Sequence, residues 1–147
     1  MNTLYALLFT LPGIPSVYYG SEWGISGVKE NGCDQTLRPY INIDKRSDYS
    51  TALTAFISKL ILLRQREKAL KYGSYKQVYL EYMRPFIFER CYENERIIIA
   101  VNISNNDEYI NLGAHCKGSL FDVLLEENIN NNNHILIKPH SVIILKE

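Results

Sequence analysis

The fold is decided by residues 11–27, which read LPGIPSVYYGSEWGISG. Prolines and glycines stand at positions 12, 13 and 15, a β-prone run follows at 17–19, and Glu22 and Trp23 then lie between glycines. Proline and glycine interrupt regular structure, whereas valine and tyrosine favour strands. We therefore predict a short buried strand at residues 16–19 that ends at the edge of an active site.

The composition predicts a folded chain with balanced charge. It has 147 residues, 46% of them hydrophobic, with 16 basic and 16 acidic side chains, so the strong basic excess of a nucleic-acid-binding surface is absent. A complete (β/α)₈ barrel needs about 250 residues, so this chain is too short for one. No run of about 20 apolar residues occurs, and we expect no membrane partner. Three cysteines, at positions 33, 91 and 116, lack metal-ligand spacing and predict free thiols and a reducing, cytoplasmic compartment. We also expect no metal and no cofactor.

Helical periodicity lies on both sides of the decisive stretch. A short helix is expected over residues 4–9, before the proline and glycine. A longer helix is predicted over residues 48–66, with Ser47 or Ser50 as its N-cap, because apolar residues recur there at the spacing of one helix face. The loop over residues 21–47 is long and aperiodic, which is typical of functional loops.

From residue 73 onward the hydrophobic pattern has a period of two, which is typical of strands. Alternation over residues 86–92, a turn at 93–95 and the run 96–103 predict a β-hairpin. Five more short strands are expected at residues 75–80, 109–112, 120–125, 134–137 and 142–145. Turn signals at 104–107 and 130–133 separate some of them, so an antiparallel β-sandwich is predicted.

The decisive stretch resembles the motif G-x-P-x-x-Y-Y-G-x-E, found at the eighth barrel strand of the α-amylase superfamily, glycoside hydrolase family thirteen. Every fixed position of that motif is occupied, by Gly13, Pro15, Tyr18, Tyr19, Gly20 and Glu22. Further segments resemble the family pattern in the same order, at residues 34–39, 56–64, 73–75, 88–90, 101–104, 121–125 and 139–145. Residues 42–44 depart from it, because tryptophan often stands there, and the cyclomaltodextrinase-like, neopullulanase-like and α-amylase-like subfamilies stay open.

The resemblance implies an α+β fold in two parts. Residues 1–72 would be the terminal helix–strand–helix of an incomplete catalytic TIM barrel, and residues 73–147 a C-terminal all-β sandwich. The family's retaining mechanism uses carboxylates in motifs such as G-x-R-x-D and N-H-D. Neither G-x-R-x-D nor a His-Asp pair occurs here, so we expect no catalytic residue in this chain and no glycosidase activity from it alone.

Four residues are candidates for binding substrate. Glu22 would support the active site, or be a structural carboxylate that accepts hydrogen bonds from loop N–H groups. Trp23 would stack on a sugar ring, or pack against the barrel. Asp34 and Arg38 would contact sugar hydroxyls, as the resemblance implies, or form an ion pair that braces the loop.

Two functions remain open from the sequence. The first is a C-terminal fragment of an amylase-type glycosidase acting on α-glucans, whose barrel end would be covered by the remainder of the barrel or by a second copy of the chain. The second is a free-standing carbohydrate-binding or interaction β-sandwich, which an exposed row of coplanar aromatic rings would favour.

Overall fold

The computed structural model describes residues 1–29, 32–49, 51–82, 84–113, 115–116, 118–129 and 134–147. Within these ranges the helices are α1 (Asn2–Thr10), α2 (Arg46–Tyr49), α3 (Ala52–Arg66) and α4 (Lys68–Tyr72). The strands are β1 (Ser74–Tyr79), β2 (Phe86–Tyr92), β3 (Glu95–Asn102), β4 (Glu108–Ile110), β5 (Leu120–Asp122), β6 (Glu127–Ile129), β7 (Ile135–Ile137) and β8 (Ser141–Lys146). In the described part of the chain, no helix has both the length and the apolarity to span a membrane.

The predicted buried strand at residues 16–19 is wrong. These residues follow α1 in an extended but unpaired conformation, and Ser16, Tyr18 and Tyr19 are exposed. A strand exists only when a neighbouring strand accepts and donates its backbone hydrogen bonds. Every strand in the described ranges lies between residues 74 and 146 and pairs within that region, so nothing beside residues 16–19 completes a ladder.

The predicted helix over residues 48–66 is divided into two. The longer part, α3, begins after Thr51, whose Oγ1 accepts the Thr54 N–H at 3.3 Å while Thr54 Oγ1 accepts the Thr51 N–H at 3.3 Å. This reciprocal capping box satisfies donors that a helix start leaves free. Ser47 lies within the separate helix α2 and does not cap α3, and Ser50 is outside the described residues.

The predicted β-hairpin is present as β2 and β3, joined by a turn at Glu93 and Asn94. The other five predicted strands occur with shifted ends, as β1, β4, β5, β7 and β8. Strand β6 was not predicted, because Glu127 and Asn128 give it no apolar alternation. The predicted turn at residues 130–133 lies outside the described residues.

The strands form two antiparallel sheets, one of six strands in the order β1-β2-β3-β8-β5-β6 and one that pairs β4 with β7. Alternate residues of β3 face opposite cores. Ile97 and Ile99 pack against the helices, whereas Ile98 and Ala100 pack against the two-stranded sheet. The molecule therefore has three layers, with the six-stranded sheet in the middle, and its fold is a mixture of helices and antiparallel sheet.

The helix-side core is continuous across the predicted boundary at residue 73. Buried side chains from α1, α3 and α4 belong to the same cluster as those from β2, β3 and β8. Its members include Phe9, Leu60, Leu70, Phe88 and Ile144. The division into domains 1–72 and 73–147 remains a prediction.

Candidate functional site

The segment that carries Glu22 and Trp23 is a tight turn between two glycines. A 3₁₀ turn covers Ser21–Trp23, and its flanks Gly20 and Gly24 have φ angles of 85° and 73°. Residues with a Cβ rarely adopt such angles, so glycine suits both positions. The Ile25 N–H closes the turn on the Gly20 carbonyl at 3.1 Å.

Glu22 is attached to the start of α3 through its backbone. Its carbonyl accepts the Thr54 hydroxyl at 2.9 Å. The Oε2 atom of its carboxylate is buried without any hydrogen-bond partner in the described residues. An unpaired buried polar atom costs about 1–3 kcal/mol, so this oxygen lies where a further donor would stabilise it.

Trp23 packs against the protein on one side. Its ring lies 5.4 Å from the Tyr49 ring, centroid to centroid, with the planes 29° apart. The side chain is half-buried, and neither Glu22 nor Trp23 lines the cavity described next.

Asp34 and Arg38 line an open cavity of about 410 Å³, together with Tyr18 and Tyr19. We call it the tyrosine–arginine cavity. The Asp34 carboxylate lies 4.0 Å from the Lys29 ammonium and forms no ion pair with Arg38. Within the described ranges the exposed Arg38 guanidinium has neither a hydrogen bond nor an ion pair, so its donors are free to bind a ligand.

The two tyrosines were absent from the sequence-based candidates, although both are fixed letters of the motif. Their ring centroids are 4.8 Å apart with the planes tilted by 44°. Partial desolvation and the adjacent Tyr18 raise the pKa of the Tyr19 phenol, while the positive charge of Arg38 opposes that rise. The cavity thus combines two phenols with one unpaired cation.

Part of the cavity wall is formed where the backbone at Gly27 closely approaches the backbone at Thr36. A Cβ placed on Gly27 would lie 2.1 Å from the Thr36 carbonyl oxygen, so only glycine fits there. The Thr36 hydroxyl donates to the Val28 carbonyl across the same approach. These contacts hold the two arms of the loop together around Asp34 and Arg38.

Buried Arg64 supports the segment that leads to the tyrosines. From α3 its guanidinium donates to the carbonyls of Phe9 at 2.6 Å, Leu11 at 3.3 Å and Gly13. The last carbonyls of a helix have no partners within the helix, and a cation suits that end of the helix dipole. Burial lowers the pKa of Arg64.

Arg90 supports the same segment from the sheet. Its guanidinium donates to the carbonyls of Thr10 at 2.6 Å, Gly73 at 2.9 Å and Ser74 at 3.2 Å. Burial, with a smaller effect from neighbouring Arg64, lowers the pKa of Arg90. The sequence placed Arg64 and Arg90 in family motifs, but nothing in the sequence indicated which groups they bind.

The described residues contain no group of three or more His, Cys, Asp or Glu side chains arranged to hold a metal ion. The three cysteines are free thiols, exposed at Cys33, half-buried at Cys91 and buried at Cys116. Burial raises the pKa of the Cys91 and Cys116 thiols.

Comparison with known proteins gives relatives that are much longer than this chain. No protein-family model matches it. It is 32% identical over 146 residues to a cyclomaltodextrinase from Thermoanaerobacter pseudethanolicus, covering 99% of this chain and 24% of that enzyme. It is 33% identical over 124 residues to an α-amylase from Niallia circulans, covering 81% of this chain and 22% of that enzyme.

Solved structures share the fold over nearly the whole chain. An Anoxybacillus α-amylase superposes with a TM-score of 0.84 at 24% identity, covering 99% of this chain and 31% of that one. The maltogenic amylase from S. marinus superposes with a TM-score of 0.76 at 28% identity, covering 99% of this chain and 19% of that one. With the ordered motifs and the sequence relatives, these similarities show that the chain belongs to the α-amylase superfamily, glycoside hydrolase family thirteen, and corresponds to its C-terminal region.

Proposed function

We propose that residues 1–72 form the end of the catalytic barrel of an amylase-type α-glucan glycosidase, and that residues 73–147 form the sandwich appended to it. The observation that carries this proposal is the unpaired segment between α1 and the Ser21–Trp23 turn. It holds the eighth-strand motif in an extended conformation, yet Ile14 is 95% exposed and Tyr18 and Tyr19 are also exposed.

Further large apolar side chains are exposed elsewhere in residues 1–72. They include Met1, Leu4, Val28, Leu37, Tyr40, Ile43 and Leu62. Large exposed apolar surfaces mark sites of contact. In the proposed enzyme the preceding part of the barrel covers them, supplies strands on both sides of residues 14–19, and supplies a donor to the unpaired Glu22 oxygen.

The proposed role of this chain is to complete the substrate-binding edge. Arg38 presents a planar fork of donors that suits two neighbouring hydroxyl groups of a sugar. Tyr18 and Tyr19 present aromatic faces on which the apolar C–H side of a sugar ring can stack, and Asp34 is close enough to accept from a hydroxyl. The acid/base and nucleophilic carboxylates come from the preceding part, so the chain alone does not hydrolyse glycosidic bonds.

The proposed substrate class is supported by the names of the relatives, which include cyclomaltodextrinase, cyclomaltodextrin glucanotransferase and α-amylase. We propose α-linked glucans for this protein as well. Because all three cysteines are free thiols, we also propose a reducing, cytoplasmic compartment.

A chimera tests the proposal. This chain replaces the matching 24% of the Thermoanaerobacter cyclomaltodextrinase, and hydrolysis of cyclomaltodextrin is measured. We expect activity from the chimera and none from the isolated chain. A chimera that folds by circular dichroism but is inactive contradicts the proposal, as does turnover by the isolated chain.

Within an active chimera, Arg38→Ala is compared with Arg46→Ala, an exposed arginine outside the cavity. Losing a charged hydrogen bond to substrate costs about 1.5–3 kcal/mol. We therefore expect Arg38→Ala to lower kcat/KM about 10- to 100-fold and Arg46→Ala to leave it unchanged. Equal kcat/KM values for the two variants would contradict a role for Arg38 in substrate binding.

A further inference from the structure

A second cavity, of about 280 Å³, lies between the two sheets. We call it the intersheet cavity. Its lining includes one tyrosine from each sheet, Tyr79 of β1 and Tyr109 of β4, with Ile87 and Leu112 among its apolar side chains. It shares no lining residue with the tyrosine–arginine cavity, so the two are separate sites.

The Tyr109 side chain is available to contact a ligand in the described part of the chain. It is 58% exposed, between the buried residues Glu108 and Ile110 of the same strand. No aromatic contact or hydrogen bond involves its side chain among those of the described residues. Its ring is therefore free to present a face to the cavity.

The polar groups of the cavity are held in place but keep unused hydrogen-bonding atoms. The Asn111 Oδ1 accepts the Gly113 N–H at 2.9 Å, which fixes the amide and leaves its NH₂ group without a partner in the described residues. The His115 carbonyl accepts from Arg96 Nη1 at 2.6 Å, which anchors the backbone of that residue, and its ring nitrogens have no hydrogen-bond partner within the described residues. Such preorganised donors and acceptors bind with little ordering cost.

The cationic side chain of the cavity already has neighbours, because Arg84 lies beside both Glu108 and Tyr79, and the Tyr79 hydroxyl in turn donates to the Glu81 carboxylate. Arg84 is the cationic side chain in its lining, and its Nη1 lies 2.7 Å from the carboxylate of Glu108. An anionic ligand such as phosphate would have to compete with that ion pair. A neutral ligand rich in hydroxyl groups would not, and it could still accept from the guanidinium N–H groups that Glu108 and Tyr79 leave free.

We propose that the intersheet cavity binds the end of an α-linked glucan chain as a second carbohydrate site. A pyranose ring has apolar C–H faces that suit the tyrosine rings and hydroxyls that suit Arg84, Asn111 and His115. The volume of about 280 Å³ lies just below the roughly 300–1,000 Å³ of small-molecule sites, which suits a single terminal sugar unit. The inference uses the substrate class of the proposed function and does not depend on catalysis.

The test is a titration of the full chain with maltose and maltotriose, followed by ¹H–¹⁵N NMR. We expect saturable shifts of the backbone amides of Tyr79, Tyr109, Asn111 and His115. Inorganic phosphate at the same concentrations should shift none of them. No saturable shift at these residues with either sugar overturns the inference.

Two variants locate the bound sugar. Tyr109→Ala should weaken binding at least about tenfold, since a stacked aromatic face is lost, with the thermal midpoint unchanged because the side chain is exposed. Tyr72→Ala, which removes a tyrosine 67% exposed and outside both cavities, should leave binding unchanged. Equal weakening by these two variants overturns the inference.

Arg38→Ala separates the two sites. If it abolishes the shifts at Tyr109 and Asn111, the sugar is bound at the tyrosine–arginine cavity and the intersheet site is rejected. If the shifts persist in Arg38→Ala and disappear in Tyr109→Ala, the second site is established whether or not the chimera described above is active.

Discussion

At the scale of single residues, buried charges connect the helices to the sheet. Arg90 reaches from β2 to the end of α1 and to the backbone after α4. Glu67, between α3 and α4, is buried and binds Arg66 Nε at 2.6 Å and Lys146 Nζ of β8 at 2.6 Å. Because each of these charges has close partners, removing one partner would leave a buried charge uncompensated.

Glu67 predicts acid sensitivity. Burial alone would raise the pKa of its carboxyl, but the hydrogen bonds and charges of Lys146 and Arg66 outweigh burial and lower the pKa below its usual value of 4.5. A carboxyl with a lowered pKa stabilises the fold above the pKa of the unfolded chain, and this stabilisation is lost as the pH falls through the folded-state pKa.

We therefore expect Glu67→Gln to destabilise the protein most at neutral pH, and the difference from the parent to shrink below about pH 4. Urea unfolding between pH 3 and pH 7 measures it. The exposed Glu127→Gln serves as the control and should keep the parent's pH dependence. A difference that stays constant from pH 7 to pH 3 would contradict the assignment of the ion pairs.

At the scale of elements, the connection from α4 to β1 accommodates only glycine at position 73. A Cβ on Gly73 would lie 2.3 Å from the Ala69 carbonyl oxygen and 2.8 Å from that of Cys91. The Gly73 N–H also bonds to the Ala69 carbonyl at 3.0 Å, and its own carbonyl accepts from Arg90. The last turn of the helix is thereby pressed against the end of β2.

Gly73→Ala should destabilise the protein by at least about 2 kcal/mol, because both obstructing atoms belong to the backbone and cannot rotate away. Gly118→Ala is the matched control, since its Cβ would lie 3.5 Å from a flexible Glu147 side-chain carbon, and a change within about 0.5 kcal/mol is expected. Chemical unfolding of both variants measures the difference. Equal free energies of unfolding for the two variants would show that the end of α4 moves aside without loss of stability, which contradicts the prediction.

At the scale of the whole molecule, the central sheet is covered on both faces. Phe88, Ile97 and Ile144 are buried against the helices, and Ile98 and Leu145 are buried against the two-stranded sheet. The helices therefore serve the sheet as one of its two covering layers, in addition to carrying the candidate site.

This arrangement predicts how residues 73–147 behave when expressed alone. The sandwich side keeps its own core, so we expect a β-sheet spectrum by circular dichroism. Loss of the helices exposes the helix-facing side chains, so the segment should unfold at lower urea than the full chain and bind a hydrophobic dye. An unfolded segment would contradict the predicted boundary at residue 73, and a segment as stable as the full chain would contradict the stabilising role of the helices.

The sequence alone determined the family and most of the strands that follow residue 73. Period-two alternation over residues 86–103 is a local pattern, and a hairpin forms between segments that are adjacent in sequence. The motif around Tyr18, Tyr19 and Glu22 is recognised from residue identities alone. It also placed Asp34 and Arg38 in one loop, and the structure brings both to the tyrosine–arginine cavity.

Only the tertiary structure decided what depends on neighbours distant in sequence. Residues 16–19 have the composition of a strand but no strand in the described residues to pair with, and composition cannot supply a partner. Asp34 pairs with Lys29 and leaves Arg38 free, while Arg90 binds Thr10, 80 positions away in the chain. Such contacts are set by the packing of whole layers, because the free energy that selects them comes from burial and from carbonyls that need donors, and neither is visible in a local pattern.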